Sequence, residues 1–154
     1  MSVTNNGYES SAIALRRSTT TITFDGTAGA GGIGTVTVFS ITPDANAQFY
    51  VARIIPYCIT DLAGATATVA LLVGFAPAAI AATLATDIDA GEFWFSTAPA
   101  KSGAIPAALM NIVFANANIT LDVAVAAITA GVLRIDVDYI PLTDGFNLGT
   151  YTIL

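Results

Sequence analysis

At 154 residues, the chain is long enough for one domain with a full hydrophobic core and too short for two. Only 10% of its residues are charged while 55% are hydrophobic, which leaves few polar side chains to cover a monomer and predicts that a partner buries part of the surface. The net charge of −6 argues against a nucleic-acid partner, and the absence of histidine excludes Ser/His/Asp and Cys/His catalysis.

The first 18 residues are polar and contain no apolar stretch of the kind found in a secretory signal. We therefore expect residues 1–18 to form a flexible N-terminal arm and the protein to be synthesised in the cytoplasm. The rest of the chain divides into one domain over residues 19–145 and an apolar C-terminal tail over residues 146–154.

Beyond the arm, the chain is a succession of short runs in which apolar or β-branched residues alternate with polar ones. Turn signals rich in Gly, Pro, Asn and Asp separate these runs. Short strands at this spacing predict an all-β fold, an antiparallel β-sandwich or jelly-roll-like domain, with at most one short helix. The predicted strands are 20–25, 34–42, 47–57, 66–73, 79–86, 92–96, 109–115, 118–126 and 131–140.

The stretch GAGGIG matches the dinucleotide-binding pattern G-x-G-x-x-G through Gly29, Gly31 and Gly34. That pattern binds a pyrophosphate only when a helix follows the glycines, and here an alternating run follows instead. We therefore expect residues 26–34 to form an exposed loop between two strands, with glycines at positive φ and no affinity for a nucleotide.

Residues 62–86 contain no charged side chain over 25 positions, which is long enough for a membrane-spanning helix. The local alternation, the break at Gly74 and Pro77, and the lack of flanking Lys or Arg argue against a span. A strand, a turn and a second strand fit this segment better, although its Ala-rich half at 76–85 is the part best able to form a short helix.

Alternation also predicts which side chains face the core. In the run 131–140, Arg134, Asp136 and Asp138 form a charged row that we expect to be a solvated face with weak ion pairs, while the residues between them point inward. Asp122 is likewise expected to point outward. The predicted inward residues of these two runs are Leu133, Ile135, Val137 and Tyr139, and Leu121, Val123 and Val125.

Two features are candidates for chemistry. Cys58 is the single cysteine and has apolar neighbours, so a buried, inert thiol is favoured over a nucleophile. Asp87, Asp89 and Glu92 place three carboxylates within six residues, a grouping that could ligate calcium, although a turn stabilised by its Asp side chains is favoured. We assign no catalytic residue and no cofactor, and a cation-dependent carbohydrate-binding or hydrolytic domain at these carboxylates stays as the alternative from another class.

Several segments in order resemble a group of small proteins from tailed bacteriophages. These are GTVTVF at 34–39, Arg53 within an apolar strand, CITDLAGATATV at 58–69, ATDIDAGEFW at 85–94 and ITAGVLRIDVDYIPLTDG at 128–145. The resemblance implies a non-enzymatic virion structural protein, expected to be a head decoration (cement) protein on the capsid surface. A tail or fibre-associated module is the alternative within the same class.

The resemblance and the composition together predict the partners. We expect the chain to bind copies of itself, as a homotrimer, and the major capsid protein, with no nucleic acid and no membrane involved. Trp94 is expected to be buried, either in the core or against a neighbouring subunit. The candidate interface residues are Trp94, Phe146, Leu148, Tyr151 and Leu154.

Overall fold

A computed structural model describes residues 15–40, 48–115, 117–143 and 149–150. Within these residues the regular structure is nine strands and two single-turn 3₁₀ helices, at Ala85–Asp87 and Ala107–Leu109. The predicted all-β class is confirmed. The strands are β1 (Arg16–Thr23), β2 (Gly34–Ser40), β3 (Gln48–Ala63), β4 (Thr68–Val73), β5 (Phe75–Leu84), β6 (Met110–Ala115), β7 (Ile119–Ala124), β8 (Ala130–Pro141) and β9 (Gly149–Thr150).

The strands form two antiparallel sheets packed as a sandwich. The four-stranded sheet has the order β1-β8-β3-β6, and the five-stranded sheet has the order β5-β4-β7-β2-β9. The pairs β1 with β8, β2 with β7, β3 with β6 and β4 with β5 are nested in sequence and alternate between the two sheets. These four pairs make up one long antiparallel hairpin that turns between β4 and β5. When such a hairpin folds so that its pairs alternate between two sheets, the result is a jelly roll.

The core lies between the two sheets and is filled by every second residue of the strands. On β8, the predicted inward residues Leu133, Ile135, Val137 and Tyr139 are all buried. This follows from the two-residue period of a strand that faces solvent on one side. The largest fully buried side chains elsewhere in the core include Trp94, Phe39, Phe49, Ile54, Leu71, Ile119 and Leu121.

Strict alternation fails on several strands, and consecutive buried residues occur on β2, β4 and β8. Val38 and Phe39 are neighbours, yet both are fully buried, because the pairing of β2 with β7 shifts between Thr37 and Phe39. The predicted inward position of Val125 is wrong. β7 ends at Ala124, and Val125 takes a φ of 69° in the following turn, which leaves it 70% exposed.

The uncharged segment 62–86 contains the end of β3, then β4 and β5. The prediction of strand, turn and strand is therefore confirmed, and the Ala-rich half forms β5 rather than a helix. Gly74, at a φ of 58°, is the single residue between the two strands. Over the described ranges, no helix has the length and apolar character needed to cross a membrane.

Several predicted boundaries differ from the structure. The predicted strand 47–57 extends to Ala63 as β3, and Gly149–Thr150 of the predicted tail 146–154 forms β9 of the five-stranded sheet. β1 begins at Arg16, so the last residues of the predicted arm 1–18 belong to a sheet. The predicted strand 92–96 is wrong, because the segment makes only isolated bridges from Phe93 to Tyr57 and Ala100. Beyond Arg53, β3 no longer pairs with β6, and Phe93 lies beside β3 there.

Candidate interaction surfaces and sites

The glycine loop joins β1 to β2, as predicted, and a strand follows Gly34. Gly26, Gly29, Gly31 and Gly34 have φ values of 82°, 83°, 109° and 135°. The loop is less exposed than expected, because Ala30 and Gly31 are buried. A Cβ atom at Gly31 would lie 2.2 Å from the carbonyl oxygen of Ile128, so this glycine is required for close backbone packing. We still predict that the loop has no affinity for a nucleotide. Hydrogen exchange measured with and without a dinucleotide tests this prediction.

The acidic residues Asp87, Asp89 and Glu92 lie on the loop after β5. The amide of Asp89 donates to Glu92 Oε2 at 3.2 Å, and the amide of Glu92 donates to the carbonyl oxygen of Asp89 at 3.2 Å. Asp61, at the end of β3, accepts a hydrogen bond from the Ala90 amide at 2.6 Å. These bonds make the loop a closed turn, although the stabilising carboxylates are Glu92 and Asp61 rather than Asp87 and Asp89.

The cation site considered for these carboxylates is not assembled. Asp87 and Asp89 are exposed, and Glu92 bonds within its own turn. In the described part of the chain, no three His, Cys, Asp or Glu side chains come close enough together to hold a metal ion. Calorimetric titration with calcium tests the alternative directly, since a site with useful affinity would release or absorb heat on binding.

Cys58 is buried beneath this loop, as predicted. Its Sγ lies 3.1 Å from the carbonyl oxygen of Thr60 and 3.5 Å from that of Ile88. Burial, with a smaller contribution from the negative charge of Asp61, raises the pKa of the thiol to about 11. The thiol is therefore protonated at neutral pH, which is unfavourable for a nucleophile.

Trp94 is fully buried inside the sandwich, so it cannot be the subunit contact considered from the sequence. Its indole Nε1 donates to Thr83 Oγ1 on β5 at 3.0 Å, and its backbone amide donates to the carbonyl oxygen of Pro56 on β3 at 3.1 Å. Trp94 thus ties the long connection between β5 and β6 to both sheets. The confirmed part of the prediction is its burial in the core.

The aromatic neighbours of Trp94 form a half-buried row on the outer face of the four-stranded sheet. The rings of Tyr57 and Phe93 are 5.2 Å apart, and those of Phe93 and Phe95 are stacked at 5.5 Å. The guanidinium carbon of Arg134 lies 5.1 Å from the Tyr57 ring centroid. The row was missed in the sequence because Tyr57 and Arg134 reach it from distant strands.

The charged row of β8 is more buried than the predicted solvated face. Asp138 accepts hydrogen bonds from Arg17 on β1 and from Arg53 on β3, the latter at 2.5 Å. Asp136 accepts from Thr19 Oγ1 at 2.6 Å and lies 3.3 Å from Nε of Arg134. Both carboxylates are buried because β8 lies between β1 and β3, whose side chains cover it. The predicted solvated face with weak ion pairs is therefore wrong: Asp138 is buried, and its two ion pairs link β8 to β1 and to β3.

An open apolar cleft of about 430 Å³ lies where β5 and β6, the outer strands of the two sheets, face each other. None of its lining residues is charged. At the start of β6, Asn111 has a φ of 53° and accepts a hydrogen bond from the Tyr50 hydroxyl, which holds this end of the strand. The lining residues are Val73, Ala78, Ala79, Ala107, Ala108, Met110, Asn111, Ile112 and Val113.

Exposed aliphatic side chains occur around the domain. Phe146, Leu148, Tyr151 and Leu154 lie outside the described residues. The large hydrophobic residues that the structure shows exposed are Leu15, Ile33, Ile59, Leu84, Val113, Val125 and Leu142. The exposed parts of these side chains are available for contacts with other molecules.

Comparison with protein-family models, with curated proteins and with solved structures finds no match to this chain.

Proposed function

We propose that this protein is a non-enzymatic structural protein of a tailed-bacteriophage virion, acting as a capsid decoration (cement) protein. The observation that carries the proposal is that a domain with a complete core still exposes large aliphatic side chains and an uncharged cleft. Folding of the domain does not use this apolar surface, and such surface is typical of interfaces. Jelly rolls are found in viral capsid proteins but also in lectins and cupins, so the fold is compatible with the proposal without selecting it.

The proposed mechanism is adhesion by many weak contacts. A small domain with 10% charged residues can make apolar and backbone-mediated contacts with major capsid subunits. Repetition of the same contact by the symmetry of the head, and oligomerisation of the decoration protein, raise the overall avidity without a strong individual contact. The proposed partners are further copies of this chain, as a homotrimer, and the major capsid protein.

Imaging of virions tests the proposed location. Cryo-electron microscopy of virions made by the phage that encodes this chain should show it at symmetric positions on the head surface. Heads assembled without the protein should disassemble at a lower temperature, and adding the purified protein back should restore their stability. Density at the tail alone would favour the tail or fibre-associated module, and absence of the protein from purified virions would contradict both.

Light scattering tests the predicted role of the C-terminal tail. The full chain should be a homo-oligomer, and deletion of residues 146–154 should weaken its association. Because this deletion also removes β9, thermal unfolding followed by circular dichroism must show that the shortened chain still folds. A deletion of residues 1–14 tests in the same way whether the N-terminal arm reaches onto a neighbouring copy instead. A soluble monomer that also fails to bind heads or tails would sink the proposal.

A further inference from the structure

We propose that the side of the sandwich formed by β5 and β6 is the surface on which copies of this chain associate, with β6 of one copy against β5 of the next. This inference shares with the proposed function the premise that the chain acts as a homo-oligomer. It adds the surface and the partner strand, which nothing in the sequence indicates.

Both sheets end on this side in a strand with one open edge. β5 is the outer strand of one sheet and β6 of the other, and among the described residues neither has a second partner strand. Soluble proteins usually guard such edges with charged residues, above all lysine. Neither Phe75–Leu84 nor Met110–Ala115 contains Asp, Glu, Lys or Arg. Among the described residues, the features that disfavour pairing are Pro77, the shifts in the pairing of β4 with β5, and the positive φ of Asn111 on β6.

The cleft between these two strands is also apolar. Alanine methyl groups from β5 and from the 3₁₀ turn before β6 give it a smooth apolar wall. Val113 lies at its rim and is 65% exposed, although it belongs to a regular strand. A second surface that lacks charge would bury the cleft and Val113 together, and would remove apolar area from water.

The two open strands, together with the charge of the chain, favour a second copy as the occupant. The chain carries 11 acidic and 5 basic residues, so two copies repel each other wherever their acidic surfaces meet. The exposed carboxylates Asp87 and Asp89 lie on the loop after β5, outside the cleft. Strands β5 and β6 and the cleft lining carry no charge, and each copy offers both an open β5 and an open β6, so the open strand of one copy can pair with that of another. In the proposed assembly, β6 of each copy meets β5 of the next around a common axis, which gives a closed ring rather than a filament.

A pair of matched charge variants tests the assignment. Val113→Lys places a charge at the proposed contact, and Val125→Lys places the same charge on a residue of similar exposure in the turn after β7. Both positions are exposed, so both variants should melt near the temperature of the wild type by circular dichroism. By sedimentation equilibrium, we expect Val113→Lys to raise the dissociation constant of the oligomer by about tenfold or more, and Val125→Lys by less than about twofold.

A complementary charge tests the strand that faces β6. Ala82 is an exposed residue of β5, so Ala82→Glu should also weaken association, whereas the double variant with Val113→Lys should associate more tightly than either single variant. The inference would be overturned if Val113→Lys and Val125→Lys weakened association equally. It would also be overturned if the wild type stayed monomeric at its highest soluble concentration. Failure of the double variant to recover would remove β5 as the facing strand. Because these measurements use the isolated protein, absence of the chain from virions would reject the proposed function alone.

Discussion

Arg17 binds Asp138 through two hydrogen bonds, from Nε to Oδ1 at 2.7 Å and from Nη2 to Oδ2 at 3.0 Å. This bidentate contact joins the edge strand β1 to β8, and Arg53 on β3 binds the same carboxylate from the opposite side. The carboxylate is buried, while the side chains of Arg17 and Arg53 are 55% and 44% exposed. Solvent therefore screens the two arginines, but Asp138 depends on them to satisfy its charge.

Replacing Asp138 by Asn should destabilise the domain by about 2 kcal/mol, because charge-assisted hydrogen bonds to two strands are lost or weakened. Urea unfolding followed by circular dichroism measures the change. Asp122→Asn is the control, since the side-chain hydrogen bond that Asp122 makes among the described residues is an exposed one of 3.3 Å, accepted from Thr35 Oγ1. Its cost should stay below about 0.5 kcal/mol. Equal costs for the two variants would show that the Asp138 contacts contribute no net stability.

The contribution of Asp138 to the free energy of unfolding should disappear in acid. The hydrogen bond from Arg17 is the largest cause that lowers the pKa of Asp138 below its ordinary value of 3.8, burial opposes it, and Arg53 lowers it further. A lowered native pKa means that the stabilisation is fully present above the unfolded pKa and is lost as pH falls through the native one. The stability difference between the wild type and Asp138→Asn should therefore be constant above about pH 5 and shrink below pH 4. A difference that grows in acid would contradict this.

Truncation of Trp94 should be among the most damaging substitutions. Trp94→Ala empties a fully buried site and should cost about 3 to 5 kcal/mol. Thr83→Val keeps the volume but removes the acceptor of the indole N–H, and should cost about 1 to 2 kcal/mol. Urea unfolding measures both, and the fluorescence of this single tryptophan should shift to longer wavelength on unfolding. A cost for Trp94→Ala below about 0.5 kcal/mol would mean that the residue is at the surface.

Cys58 should resist alkylation in the folded protein. With a thiol pKa of about 11, only about one molecule in a thousand carries the reactive thiolate at pH 8, and burial restricts access further. Labelling by iodoacetamide, followed by mass spectrometry, should be slow in buffer and fast in denaturing urea. The rate in buffer should increase as pH rises towards 11, up to the point where the fold is lost. Labelling of the folded protein as fast as of the unfolded one would contradict the burial of this thiol.

The glycine loop provides a graded test of backbone packing. Gly31→Ala combines a φ of 109° with a Cβ placed 2.2 Å from the Ile128 carbonyl oxygen, and should cost about 3 kcal/mol or more. Gly29→Ala has a φ of 83° but meets no atom within 4 Å, so it should cost only about 1 kcal/mol. Thermal unfolding measures the order of the two. If both variants were equally stable, the contact with Ile128 would be irrelevant and only the backbone conformation would matter.

The alternation of residues in β8 was sufficient to predict which of its side chains fill the core, because the period of a strand is a local property. The same alternation placed Asp138 on the outer face but gave no indication of its burial. That burial depends on Arg17 and Arg53, which the order of strands brings to either side of β8. The one sequence feature that indicated a buried ion pair was Arg53 within an apolar strand, but the sequence does not show which carboxylate Arg53 binds.

The cleft was equally beyond prediction. Its walls come from Ala78 and Ala79 on one strand and Met110 to Val113 on another, and the sequence does not say that these two strands end their sheets side by side. The acidic loop shows the converse error: three carboxylates are close in sequence, but Glu92 bonds the Asp89 amide of its own turn while Asp87 and Asp89 are exposed, so no joint site forms. Local spacing predicts a cluster only when the backbone aims the side chains at one point.

The nested strand pairs also set an order of events during synthesis. β4 and β5 are separated by Gly74 alone and can pair as soon as they leave the ribosome. β1 cannot do so, because its partner β8 lies more than 100 residues later, with Arg17 and Asp138 separated by 121 positions. Contacts this distant in sequence slow folding. β3 must therefore wait for β8 as well, and its apolar face is exposed to aggregation and to chaperones until most of the chain has been made.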